Sequence, residues 1–152
     1  MDLFISEAII DGFGPFEFDL ATRLNEDPAQ KPDLDTIIAN IVDVLHSPYA
    51  GASLSVAGHA DRDDTPNRSH IEHLAVEKDS SEQRVTNAVA HIHELVQQSE
   101  PTAPSDLNTL PFFDVLQRAP GAGVLVEDGA SLTEDQRKRN RRVQVRLLVF
   151  KP

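Results

Sequence analysis

Ser53-Leu54-Ser55-Val56-Ala57-Gly58-His59-Ala60-Asp61 alternates apolar with small side chains and then breaks into glycine, histidine and aspartate. Alternation with a period of two marks a half-buried strand, so Leu54 and Val56 face a core. Asp61 falls just past the strand's carboxyl end, where loops gather ligand contacts. Helical periodicity flanks this run on both sides. Before it, Leu34, Ile37, Ile38, Ile41, Val42 and Leu45 recur at helical spacing, with Asp33 placed as a cap and Pro48 beyond the end. After it, Val85, Ala88, Val89, Ile92, Leu95 and Val96 mark a second amphipathic helix.

The rest of the chain extends this pattern. Ile9-Ile10 and Phe16-Glu17-Phe18 read as short strands around the turn Gly12-Phe13-Gly14-Pro15, and residues 25 to 33 read as loop. The polar stretch from Arg62 to Lys78 reads as an extended surface loop. A capping box of Ser80 with Gln83, or of Asp79 with Glu82, then opens the second helix and places Arg84 in its first turn. Residues 99 to 111, with three prolines, form a linker, and Phe112 to Gln117 form a strand. Ser131 or Thr133 caps a short charged helix through residue 139, and Val143, Val145, Leu147 and Val149 alternate as the final strand. This order predicts an α/β (α+β) fold, a mixed β-sheet packed against helices. The 152 residues suit one domain, 1–152, and are too few for two comfortable ones.

Composition narrows the function classes. With 25 acidic and 14 basic side chains the net charge is -11, so the chain lacks the positive footprint that nucleic acid requires. A neutral or zwitterionic ligand fits better. The absence of cysteine closes disulfide, zinc-thiolate and thiol-nucleophile chemistry and a lipid anchor on cysteine. Met1-Asp-Leu-Phe-Ile-Ser-Glu lacks the basic start and long apolar stretch of an export signal, and no apolar run approaches the ~20 residues of a membrane span, so membrane insertion is not expected. His59, Asp61, Asp63, Asp64, His70 and His73 lie close in sequence without a compact ligand spacing, so neither a metal nor another cofactor is expected. No nucleophile elbow occurs, the serines near Arg84 read as helix caps, and no enzyme is indicated.

The candidate site is a separated pair of opposite charges. Asp61 stands at a strand end and Arg84 at a helix start, where free N–H groups and the helix dipole already favour an anion. Such a pair can hold a zwitterion by its ammonium and its carboxylate. A basic cluster, Arg137-Lys138-Arg139-Asn140-Arg141-Arg142, precedes the last strand. Strand alternation lets one of Arg141 and Arg142 face a ligand and sends the other away. Asn140 stands among the candidate ligand-binding residues, although it reads more readily as a helix C-cap in the left-handed conformation than as a ligand contact.

Gly58-His59-Ala60-Asp61, Ser81-Glu82-Gln83-Arg84 and Asn140-Arg141-Arg142-Val143 together resemble, in order, the signature segments of the OmpA-like peptidoglycan-binding domain (the OmpA/MotB C-terminal family). Phe16-Glu17-Phe18-Asp19 resembles that family's first strand, so the resemblance covers nearly the whole chain. It implies a non-catalytic domain that anchors a larger assembly to the cell wall in the cell envelope, facing the periplasm. It also implies that Asp61 takes the ammonium of the diaminopimelate residue, Arg84 its carboxylate, and Arg142 a second carboxylate contact, with Arg141 mainly structural. On this reading, alanine at Asp61 or Arg84 removes binding without unfolding the domain. Four positions depart from the family pattern: Ala60, Glu77, Ser80 and Val85; the segment from Asp61 to Arg84 is also longer than usual. Glu77 adds a negative charge that weakens carboxylate binding or selects an amidated peptide. The rival expectation is an interaction module of the same fold without cell-wall binding, set in an envelope or phage-tail-like assembly, for which a cytoplasmic or particle-associated location stays open. A third, a hydrolase with a metal at His59 and Asp61, has less support.

Overall fold

The computed structural model describes residues 1–152. A four-stranded mixed sheet, in the order β1-β4-β2-β3, carries its helices on one face. The strands are β1 (Asp2–Ile10), β2 (Gly51–Gly58), β3 (Phe113–Arg118) and β4 (Val143–Lys151), and the helices are α1 (Leu20–Glu26), α2 (Lys31–His46), α3 (His70–Ser99) and α4 (Glu134–Asn140). β4 runs antiparallel to both β1 and β2, whereas β2 and β3 are parallel. Parallel neighbours need a long crossover, and α3 supplies it.

Strand alternation builds the core. Ala8 and Ile10 of β1, Ala52, Leu54 and Val56 of β2, and Val143, Val145, Leu147 and Val149 of β4 turn to the helical side and are buried. Leu34, Ile37, Ile38, Ile41 and Val44 of α2 meet them, as do Val85, Ala88, Val89, Ile92 and Val96 of α3. Each valine, leucine or isoleucine among them contributes roughly 1.5–3 kcal/mol on full burial. No helix is long and apolar enough to cross a membrane.

The elements differ from the sequence expectation in four places. β1 runs from Asp2 and not from Ile9, because its outward Leu3, Ile5 and Ile9 are exposed and break the half-buried signature. Phe16-Glu17-Phe18 is irregular backbone, not a strand. The expected loop 25–33 holds the end of α1, whose start is capped by Asp19, then a 3-10 turn at Pro28–Gln30 and the start of α2 at Lys31. Pro32 lies within that first turn, where its missing N–H has no helical partner to lose. α3 begins at His70, capped by a box of Ser69 and Glu72, so the caps assigned to residues 79–83 lie mid-helix. Its first turns are mostly exposed, Ile71 and Leu74 included, which hid them as a polar loop.

Candidate functional site

Gly58 ends β2 directly beneath α3. A Cβ there would sit 2.6 Å from the Val85 amide nitrogen, so only glycine lets helix and strand approach this closely. The Ser81 hydroxyl donates to the Gly58 carbonyl and accepts from the Gly121 amide at 3.0 Å, tying the strand end to the loop after β3. Ser80 and Ser81 are therefore buried packing groups and not helix caps.

Past this contact the chain turns into a cleft of about 320 Å³. The residues between β2 and α3 wall one side, with Val76, Glu77, Ser80 and Arg84 of α3; Pro15, Phe16, Glu134, Arg137 and Arg141 complete it. Five carboxylates (Asp61, Asp63, Asp64, Glu77, Glu134) and four guanidiniums (Arg62, Arg84, Arg137, Arg141) line it, giving a nearly balanced zwitterionic surface in a strongly acidic chain.

Asp61 is 8% exposed. Its Oδ1 accepts from Asn140 Nδ2 at 2.8 Å, and its Oδ2 accepts from an Arg137 nitrogen at 2.9 Å with Arg141 3.9 Å away. A carboxylate offers about four lone-pair directions, so two remain beyond these two hydrogen bonds, with Arg141 too distant to take one. Arg84 is wholly buried at the cleft floor. It donates to the carbonyls of His59 (2.8 Å), Gly14 (3.1 Å) and Glu17 (3.2 Å) and lies 5.5 Å and 5.2 Å from the ring centres of Phe13 and Phe18. Burial, and after it the charge of Arg141, lowers its pKa to about 10, still protonated at neutral pH. Arg84 stands mid-helix and not in the first turn, so the N-terminal dipole has no part in its position.

Arg141 and Arg142 diverge, and it is Arg141, not the expected Arg142, that lies at the cleft. Arg141 enters the cleft, held by Glu134 at 2.6 Å and the Phe13 carbonyl at 3.4 Å. The Arg141 contact in turn holds the Glu134 carboxyl below its usual range. Arg142 points away, donating to the carbonyls of Asn140 (3.1 Å) and Val124 (3.2 Å), and it is not part of the cleft. Asn140 is the last residue of α4 and is not left-handed; the positive-φ residues other than glycine are Tyr49 and Asn67. Its wholly buried amide holds Asp61 while accepting from the amides of Val126 and Glu127. It positions the carboxylate and is out of a ligand's reach.

Two participants were not evident from the sequence. Arg137, in the sequence only one member of the basic cluster before the last strand, bridges Asp61 and Asp64, the latter at 2.6 Å. The signal was the spacing of Glu134, Arg137 and Arg141, which shares one helical face. Asp63 anchors the entrance. Burial alone would raise its carboxyl, but hydrogen bonds from Thr65, Arg68 and His73 hold it well below the usual range. Glu77 is buried and accepts from the Asp63 amide at 2.9 Å, so its charge serves the cleft wall. His59 lies behind the site, 3% exposed, and neither ring nitrogen has a partner. Burial, then the neighbouring Arg142, lowers its pKa to about 4, so the ring is neutral. No group of three or more histidine, cysteine, aspartate or glutamate side chains is disposed to hold a metal ion.

No family model and no curated sequence matches the chain. Among solved structures, a MotB-like protein from Desulfovibrio vulgaris is 15% identical, with 95% of this chain and 74% of that chain covered, at a TM-score of 0.43. The periplasmic domain of Helicobacter pylori MotB is 17% identical over 76% of this chain and 66% of its own, at a TM-score of 0.37. This chain is similar to MotB periplasmic domains. The cell wall anchor of the T6SS from Pseudomonas aeruginosa is 19% identical, with the same coverage of 76% and 66%, at a TM-score of 0.34. The chain thus spans about two thirds of the length of the last two structures.

Proposed function

We propose that this chain is a non-catalytic, periplasm-facing domain that binds peptidoglycan by the diaminopimelate-type residue of its stem peptide. The observation that supports this reading is the nearly buried Asp61, with acceptor capacity left over, in a cleft walled by Arg84, Arg137 and Arg141. An ammonium would take a remaining direction on Asp61. The ligand's carboxylate would replace Asp64 or Glu134 on Arg137 or Arg141; those two acids have side chains 72% and 53% exposed, and exposed ion pairs are weak enough to exchange. Arg84, with three of its five N–H groups on backbone carbonyls, contributes positive potential from the floor. The three segments that resemble the OmpA-like domain meet around this cleft, which agrees with the same ligand.

Co-sedimentation with purified sacculi tests the reading. Asp61→Asn keeps the shape and removes the charge, and losing one side of a buried charged contact costs roughly 2–5 kcal/mol, enough to abolish a modest affinity. Sacculus binding by Asp61→Asn equal to that of the unmodified protein would sink the proposal. One observation favours the rival, an interaction module within an envelope or tail-like assembly: the guanidiniums of Arg84, Arg137 and Arg141 already have partners within the chain. Failure of the unmodified protein to sediment with sacculi would decide for that reading.

A further inference from the structure

A second hollow, of about 640 Å³, adjoins the Asp61 cleft. Arg62, Asp63 and Glu77 line both, so one ridge separates the two. One wall of the hollow is α3: His70, His73, Leu74, Glu77 and Lys78 recur at three- and four-residue spacing and share a helical face. The opposite wall is the turn 120–123 after β3. Gly121 takes a φ of 63°, in the left-handed region that glycine occupies without strain. Its carbonyl accepts from the Ala60 amide and its amide donates to the Ser81 hydroxyl, both at 3.0 Å, so the turn is fixed to the end of β2 and to α3. The early turns of α3 thus have a structural task, to wall a hollow beside the cleft.

Charge indicates what this hollow takes. Its acids are spent within the chain: the Asp63 carboxylate accepts from Thr65 and Arg68 and meets His73, and Glu77 holds the Asp63 amide. Its cations are held only loosely. The exposed Arg62 guanidinium meets the equally exposed Asp128 at 3.2 Å. The exposed Lys78 ammonium donates to the Ala119 carbonyl at 2.5 Å and lies 3.7 Å from Glu82. Exposed ion pairs are worth little, so both cations can turn to an incoming anion at small cost. In a chain of net charge -11 this is a local cationic margin, and half-exposed Leu74 adds an apolar surface beside it. A peptide outreaches a cleft of about 320 Å³, so the neighbours of the residue held there lie over its rim. Beyond the ridge of Arg62, Asp63 and Glu77, the matching neighbour is one that carries a free carboxylate.

We propose that this hollow is a second subsite, which takes the acidic residue adjoining the diaminopimelate-type residue of the stem peptide, with Lys78 and Arg62 as donors to its free carboxylate. The inference rests on the binding reading given above and adds to it which neighbour is recognised. Titration calorimetry with three probes tests it: free meso-diaminopimelate, the tripeptide L-alanyl-γ-D-glutamyl-meso-diaminopimelate, and the same tripeptide amidated at the glutamate α-carboxylate. The acidic tripeptide should bind roughly three- to tenfold tighter than its amidated form, the range that two exposed charge contacts supply. In the Lys78→Ala, Arg62→Ala double variant that ratio should fall to about one, while affinity for free diaminopimelate changes by less than about twofold. Lys78→Arg alone should keep the preference for the acidic form, since the charge is retained. Equal affinity for the two tripeptides in the unmodified protein, or a ratio unchanged in the double variant, would overturn the subsite and leave the cleft reading standing. Failure of all three probes to bind would overturn both.

Discussion

The carbonyl oxygens of Gly14, Glu17 and His59 converge on the one guanidinium of Arg84 between two phenyl rings. A side chain so placed fastens the irregular segment 13–18 to the end of β2. The sequence-based expectation that Arg84→Ala spares the fold is therefore corrected. Removing the guanidinium strands three acceptors in a buried site, and we expect a loss on the order of 3–5 kcal/mol in urea unfolding. Arg84→Lys should recover little, because an ammonium cannot fork to the same acceptors; a loss under about 1 kcal/mol for the alanine variant would refute this assignment. His59 carries a second prediction. Its pKa, lowered from 6.5 to about 4, means that the unfolded chain binds more protons than the folded one between those values. Stability should therefore decline as pH falls from 6.5 towards 4, by at most about 3 kcal/mol from this group. Unfolding midpoints across that range should show a smaller decline in His59→Gln, and parallel curves would exclude His59 as the source.

At the scale of elements, the site depends on how closely α3 passes over the end of β2. Gly58→Ala would drive a methyl group against the Val85 amide and the adjoining helix backbone, which cannot yield as a flexible side chain would. We expect a loss of about 2–4 kcal/mol in chemical denaturation together with weakened sacculus binding, because Asp61 follows three residues later. Unchanged stability would show that helix and strand can separate without cost. The short α4 acts similarly. Its Thr133–Gln136 capping box fixes the start, and one face then delivers Glu134, Arg137 and Arg141 while Asn140 braces Asp61.

Across the whole molecule, the layered arrangement gathers the cleft residues at one end. The carboxyl end of β2, the approach to β4, the middle of α3 and the face of α4 meet there, while no helix covers the opposite sheet face. The strand leading towards Asp61, the core positions of α2, the C-terminal half of α3, α4 and β4 were legible in the sequence, because each buries one face and writes its period into the chain. So was the opposition of Asp61 to nearby arginines, in general outline. The sequence could not show β1 in full, the extra turns of α3 or α1, because elements exposed on both faces or very short carry no clear period. Which arginine enters the cleft was also beyond it: Arg141 and Arg142 are chemically alike neighbours, and their directions depend on backbone torsions just before β4. Only the folded chain brings Arg137 to Asp61 across 76 residues and buries Arg84 under three carbonyls, because those contacts are made by packing and not by local spacing.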